Sequence, residues 1–365
     1  MPYGQIQVDT VKDSLNNVFA PASSVFKNRI INGAMVIDQR NSGASVSTAS
    51  SNNIYTVDRW ATFYSQTSKY TIQQNAGSVT PPTGFSNYLG FTSSSSYSSI
   101  SSDYFWLQQQ IEGFNTSDLA WGTANAKTVT ISFWVYSSIS GTWSGSLINS
   151  AQNYSYPFTY TVSVANTWQQ VFVTIAGPTA GTWVGATNGI GISVRFNLGC
   201  GSTYLGTAGS WSSNYYIGAT GSNSLVGTNG ATFYITGVQL EVGSNATNFE
   251  YRPYGTELAL CQRYCRVYGA NTSLCTALSF TTVNTSGSLM FGQTMRATPT
   301  VTPSNVTLFQ TTSGTGFNYS STAVTGFLST ADSTELQITV ASGLTVGQAA
   351  INRTGTGILT ISAEL

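Results

Sequence analysis

Three tryptophans, Trp143, Trp183 and Trp211, stand in stretches rich in Gly and Ser, and Tyr215 and Tyr216 follow closely behind Trp211. An aromatic ring held open on a loop can stack on the apolar face of a sugar while nearby amides and hydroxyls bond the sugar's own hydroxyl groups. These five residues form the candidate ligand-binding set. The competing reading buries the same rings at a subunit interface, where aromatic residues also concentrate.

Catalytic chemistry is poorly supplied. The chain contains no histidine, so neither a Ser-His-Asp nor a Cys-His arrangement can be built. Glycoside hydrolysis needs two carboxylates ~5–9.5 Å apart, and the available candidates are Asp103, Glu112 and Asp118, or Glu241 with Glu250. With only 13 acids in 365 residues, most of them near basic residues or turns, ion pairing and loop bracing account for these groups. The chain is therefore expected not to be an enzyme, and no catalytic residue is assigned. Asp38 and Asp58, close to Arg40 and Arg59, read as salt-bridge partners, because no run of oxygen ligands with calcium-loop spacing surrounds them. Cys200, Cys261, Cys265 and Cys275 lack paired Cys-x-x-Cys spacing, which argues against a zinc site and leaves small buried thiols as the default. No metal and no cofactor are expected.

Composition narrows the partners further. Charged residues make up 7% and hydrophobic residues 41%, with 13% aromatic; an average domain carries about 25% charge. Polarity comes instead from Ser, Thr, Asn, Gln and Gly, while the aromatic content separates the chain from disordered sequences. Lys plus Arg balance Asp plus Glu, giving zero formal charge. No basic run exists to track phosphates, so no nucleic-acid partner is expected. No stretch approaches ~18 consecutive apolar residues, so membrane insertion is not expected. The N-terminus lacks the basic and apolar regions of a secretory signal, which makes secretory export an unexpected route.

The elements that would carry the aromatic loops are strands. Val129, Ile131, Phe133 and Val135 alternate with Thr130, Ser132, Trp134 and Tyr136. Gly189–Asn197, Gln170–Ile175 and Thr232–Leu240 repeat the pattern, the last interrupted at Gly237. Period-two alternation denotes antiparallel strands with one buried face. Residues 29–253 are therefore expected to form a β-sandwich. Thr256–Tyr268 is the one good helix candidate, with Thr256 as N-cap, Gly269 as the stop, and Leu258, Cys261 and Cys265 on one face. It makes residues 254–269 a connecting helix. Residues 270–365 read as a second, smaller β domain in which Pro299 and Pro303 mark an edge strand or turn. Residues 1–28 read either as a segment that orders against a partner or as a first strand with a loose tail.

The motifs NRIINGAMVIDQRNSG (Asn28–Gly43), VDRW (Val57–Trp60), SFWVYSS (Ser132–Ser138), NTWQQVFVTIAG (Asn166–Gly177), VRFNLGCGSTY (Val194–Tyr204) and ATFYITGVQLEVGSNATNFEYRPYGTELALCQRY (Ala231–Tyr264) follow one another along the chain, and MRATPTVT (Met295–Thr302) comes after them. In that order they resemble tailed-bacteriophage virion proteins of the tail fibre and tail spike kind, which carry a jelly roll like those of carbohydrate-binding modules. The resemblance implies an all-β fold, an antiparallel jelly-roll sandwich followed by the smaller β domain. It implies a virion structural protein, on the tail, that binds host-surface polysaccharide for adsorption. It also implies a homotrimer, a virion-anchoring role for residues 1–28, contacts with other virion proteins, and synthesis in the host cytoplasm. A capsid decoration or head-fibre protein is the alternative, and a polysaccharide-degrading enzyme the third. Trp60, Trp134 and Trp168 fall at motif positions, where packing in the core is expected.

Overall fold

The computed structural model describes residues 11–12, 18–19, 26–49, 53–312 and 315–365. The expected anchoring segment, residues 1–28, lies mostly outside the described residues. From Asn28 onward the chain is nearly all β, as its alternation demands.

Two six-stranded sheets face each other across one core. Their strands are β1 Val46–Ser47, β2 Asn53–Tyr55, β3 Ala61–Tyr64, β4 Tyr70–Gln74, β5 Leu89–Ser93, β6 Phe105–Glu112, β7 Val129–Ser137, β8 Gly141–Ile148, β9 Ser155–Val162, β10 Gln169–Ile175, β11 Ile190–Asn197 and β12 Thr232–Val242. Sheet I runs β9-β8-β11-β6-β3-β2 and sheet II runs β10-β7-β12-β5-β4-β1. All these pairings are antiparallel, and the crossings between the sheets make a jelly-roll sandwich.

The alternating residues do what their spacing predicts. Val129, Ile131, Phe133 and Val135 are buried in the core beside Trp60, Phe91, Phe196 and Phe233. In β12 the phase changes: Phe233 and Ile235 face inward, and so do Val238 and Leu240. A strict period of two would turn the second pair outward. Gly237 resolves this with a positive φ of 62°, and the register with β7 shifts between Thr236 and Gln239. This bulge returns the apolar set to the core. A Cβ at this glycine would also meet the Phe85 ring at 2.6 Å.

The helix is shorter than its pattern suggested. α1 spans Tyr254–Gln262, and Cys265–Tyr268 is a strand, β13, instead of a last helical turn. The start is set by Pro253, whose carbonyl accepts the N–H groups of Thr256 and Glu257; Thr256 is not the cap. The C-terminal half turns extended because β13 pairs with β21, Leu359–Ser362, a tertiary partner that outweighs helix propensity.

Beyond β13 come β14 Ser273–Ser279, β15 Asn284–Met290, β16 Thr300–Pro303, β17 Val306–Thr312, β18 Thr315–Phe327, β19 Ser333–Val340, β20 Ala349–Thr354 and then β21. β14-β15-β19-β18-β17-β20 close into a barrel, and β13-β21-β16 form a small sheet whose edge is the proline-flanked β16. The barrel has its own core of Leu289, Val306, Leu308, Leu336, Ile338 and Leu359.

Charges join the two units. Glu364, just past β21, reaches Arg59 and Arg40 of the sandwich, and Arg40 also meets Asp58 at 3.3 Å. Arg263 and Tyr264 both hold Glu112 at the end of β6. Arg296 donates to the Asn188, Ala363 and Glu364 carbonyls. Burial pushes the Asp58 carboxyl up to about 6 against the opposing pull of Arg40 and the Gln39 donors.

Candidate functional site

The loops β6–β7, β8–β9 and β10–β11 all leave the sandwich at the same end. They bring together Trp121, Tyr154 and Trp183, and the long β11–β12 connection adds Trp211. Trp121 and Trp183 rings lie 4.8 Å apart at 79°, Trp183 and Trp211 5.4 Å apart at 84°, and Trp121 and Trp211 5.4 Å apart at 74°. Tyr154 stacks parallel to Trp211 at 5.8 Å. Such edge-to-face contacts are the favoured arrangement of aromatic quadrupoles.

Each indole N–H is tied to backbone: Trp121 donates to the Lys127 carbonyl at 2.8 Å, Trp183 to Ala180 at 3.1 Å and Trp211 to Ala176 at 2.7 Å. Trp121 is buried as the floor, while Trp183 and Trp211 are part exposed. Gly181 permits the packing. Its φ is 85°, and a Cβ there would press on the Tyr154 ring at 2.9 Å. Beside Trp121 and Trp183 opens a pit of about 50 Å³ edged by Thr116, Ser117 and Gly185. It can take a hydroxymethyl group or water, so a sugar ring would lie across the indoles rather than inside.

Of the five candidate aromatics, only Trp183 and Trp211 meet. Trp143 corrects the loop reading: it lies in β8, fully buried, 5.0 Å from Phe233, with its N–H on the Ile139 carbonyl. No face of its ring reaches solvent. Tyr215 closes over Arg195, whose guanidinium donates to its hydroxyl at 2.6 Å. Tyr216 lies flat against Gly206.

The motif tryptophans divide as well. Trp60 is core, but Trp134 and Trp168 are on the outer side of sheet II and only part buried. There Trp168 packs with Tyr88 and Tyr136, and Tyr136 stacks on Tyr234 at 5.2 Å and 8°. The alternation of β7 already placed Trp134 and Tyr136 opposite the core face. Trp121 and Tyr154 went unrecognised, because their partners arrive from other loops and no sequence spacing links them.

The candidate carboxylates are all engaged. Asp103 accepts from Tyr97, Ser65 and the Ile100 N–H at 2.7, 2.8 and 2.9 Å. Burial works to raise its pKa, but these donors outweigh it and hold the group below the usual carboxylate range. Glu112 pairs with Arg263, Asp118 with Arg29, and Glu250 with Arg252. Glu241 accepts from Gln239 and from the Thr247 N–H and hydroxyl. Asp58 pairs with Arg40, while Asp38 instead closes a turn by accepting the Asn41 and Gly43 N–H groups. Among the described residues no three His, Cys, Asp or Glu side chains converge as metal ligands, and the four thiols are free.

No protein-family model matches the chain, and no curated protein matches it. Solved structures align loosely. The enzymatically active domain of tailspike protein 4 from bacteriophage CBA120 matches at 11% identity and a TM-score of 0.31, over 60% of this chain and 22% of that one. A CBM4 structure matches at 16% and 0.29, covering 58% and 98%. A family 11 carbohydrate-binding module from Clostridium thermocellum, in complex with a β-1,3-1,4-mixed-linked tetrasaccharide, matches at 11% and 0.26, covering 55% and 97%. At these scores the likeness carries no argument.

Proposed function

We propose that this chain is a non-catalytic virion protein of a tailed phage, a tail fibre or tail spike subunit that binds host-surface polysaccharide through Trp183 and Trp211. The observation that carries the reading is the indole cluster itself. Trp183 and Trp211 are part exposed yet fixed by backbone hydrogen bonds and by Trp121 beneath. A platform ordered before binding loses little side-chain freedom when a sugar arrives. Engagement of every candidate carboxylate in structural bonds supports a binding role over hydrolysis.

The virion location rests on the ordered motifs between Asn28 and Thr302. Assembly as a homotrimer suits an open, shallow contact: several weak sites displayed together gain ~10²–10⁴ in avidity where geometry lets them engage at once. The test is a glycan array probed with the full-length chain and with Trp183→Ala and Trp211→Ala. Binding of a defined polysaccharide that each variant weakens by about 10–100-fold, the range of an aromatic hot spot, supports the reading. Binding that both variants leave intact refutes it.

A further inference from the structure

Two arginines in the molecule are wholly buried, Arg59 and Arg195. Arg59 sits against Glu364. Among the described residues, Arg195 has no carboxylate partner. Its guanidinium donates to the Tyr215 hydroxyl and lies over the rings of Trp106 at 4.7 Å and Tyr215 at 5.2 Å. The nearby Cys200 does not serve as a counter-ion, because burial pushes its thiol up to about 12. Guanidinium cannot shed its proton to escape the low dielectric, so a buried cation here is costly unless an anion joins it.

The surroundings are built to receive one. Arg195 stands on the outer side of sheet I, directly opposite Ser146 on β8 and Gln108 on β6. Arg195 Nε and Ser146 Oγ are both buried without a hydrogen-bond partner. Nε of Arg29, Arg59 and Arg252 is also unpartnered, but those three side chains each hold a carboxylate. One step along β6, on the same side of the sheet, Gln110 Oε1 is a third buried atom without a partner. Opposed residues of neighbouring strands bring their Cβ atoms within ~5 Å and diagonal ones within ~7–8 Å, so the guanidinium and the Ser146 hydroxyl share one patch beside an aromatic wall, with Gln110, opposite Ser193, at its edge.

We propose that this patch binds the carboxylate of an acidic sugar. Arg195 takes the carboxylate, Ser146 donates to it, Trp106 flanks the ring, and Gln110 accepts a sugar hydroxyl. Tyr215, on the Gly/Ser-rich β11–β12 connection, is the cover that swings aside. The site is separate from the indole cluster; its carboxylate chemistry stands alone, and only its assignment to glycan rests on the function proposed above.

Galacturonate and galactose differ only in a carboxylate against a hydroxymethyl group, so calorimetric titration of the full-length chain with each, and with acetate, is decisive. The expected result is galacturonate binding at least about tenfold tighter than galactose or acetate, lost in Arg195→Met and weakened in Ser146→Ala. Arg195→Met should melt at the same temperature as the parent or higher, because an uncompensated buried charge has been replaced by an apolar chain of similar length. An Arg195→Met chain that melts lower or fails to fold makes the arginine structural and overturns the proposal. So does equal binding of galacturonate and galactose. Acetate binding as tightly as galacturonate overturns the sugar assignment. A parent chain that does not bind galacturonate while it still binds the Trp183-dependent polysaccharide overturns this site and leaves the indole reading standing.

Discussion

Replacing Glu364 by Gln tests the charge clasp between the sandwich and the C-terminal barrel. One carboxylate serves two buried cations: Oε1 meets Arg40 at 2.9 Å, and Oε2 meets Arg59, whose side chain is 2% exposed. Removing one member of a buried pair generally costs ~3–5 kcal/mol, because the remaining charge stays out of water. Arg40 keeps Asp58, and Arg59 keeps the Gln110 carbonyl at 2.6 Å and the Tyr264 ring at 3.5 Å. The loss should therefore fall near the lower end, ~3 kcal/mol. With urea slopes of ~1–3 kcal/mol per molar, this moves a midpoint by about 1–3 M. The distribution of chromophores separates the two units. All eight tryptophans lie between Trp60 and Trp211, so indole fluorescence follows the sandwich alone, while far-ultraviolet circular dichroism follows both. In Glu364→Gln the dichroism transition should move down and part from the fluorescence transition. A loss below about 1 kcal/mol, the level of exposed ion pairs, with the two signals still coincident, would refute the reasoning.

Three further outcomes follow from buried groups. Burial raises the folded-state pKa of Asp58 to about 6, whereas the unfolded chain titrates near ~3.9. The folded state holds the extra proton between those values, so its stability falls as pH climbs from ~4 to ~6, by on the order of 3 kcal/mol for this group. Asp58→Asn should flatten that slope in pH-resolved melting, and an unchanged slope would count against it. Trp143→Ala should cost ~3–5 kcal/mol in urea unfolding, as large core truncations do; a solvent-exposed sugar ligand at this position would instead cost almost nothing. Gly237→Ala places a Cβ against Phe85 at a positive φ, and should lower stability by more than ~1 kcal/mol.

What could be read in the chain, and what could not, follows the range of the interactions involved. The alternation in β7 is visible because each residue's face is set by its own position. Trp143 was misplaced because Gly141-Thr142-Trp143-Ser144-Gly145-Ser146 has the composition of a turn. In β8, however, the small residues serve packing: a Cβ on Gly145 would lie 2.6 Å from the Phe158 ring, and Ser144 lies beneath the β11–β12 connection, bonded to Ser222. The end of the helix was hidden for a related reason, since β13 is extended only by virtue of β21 near the chain terminus. Trp183 and Trp211 could be chosen as open-loop aromatics, but Trp121, which fixes them, joins through a contact that no local pattern encodes.

The scarcity of charge makes each remaining charge informative. A chain with 13 bases and 13 acids has few ionised groups for decorating its surface, and several lie where desolvation is severe. Arg40, Arg59, Arg252 and Arg263 are each met by Asp or Glu; Arg40 and Arg59 through Glu364, and Arg263 through Glu112, join elements distant in sequence, while Arg252 braces the start of α1. Their acids, Asp58, Glu364, Glu250 and Glu112, are thereby engaged in clasping the fold. Arg195 stands apart from this pattern. Its neighbours are serines, glutamines and aromatic rings, and among the described residues no acid pairs with it. An apolar side chain of equal length would fill the same space without the desolvation cost. A ligand anion would supply the counter-charge that the described residues do not, which is why this arginine is the buried cation to test first.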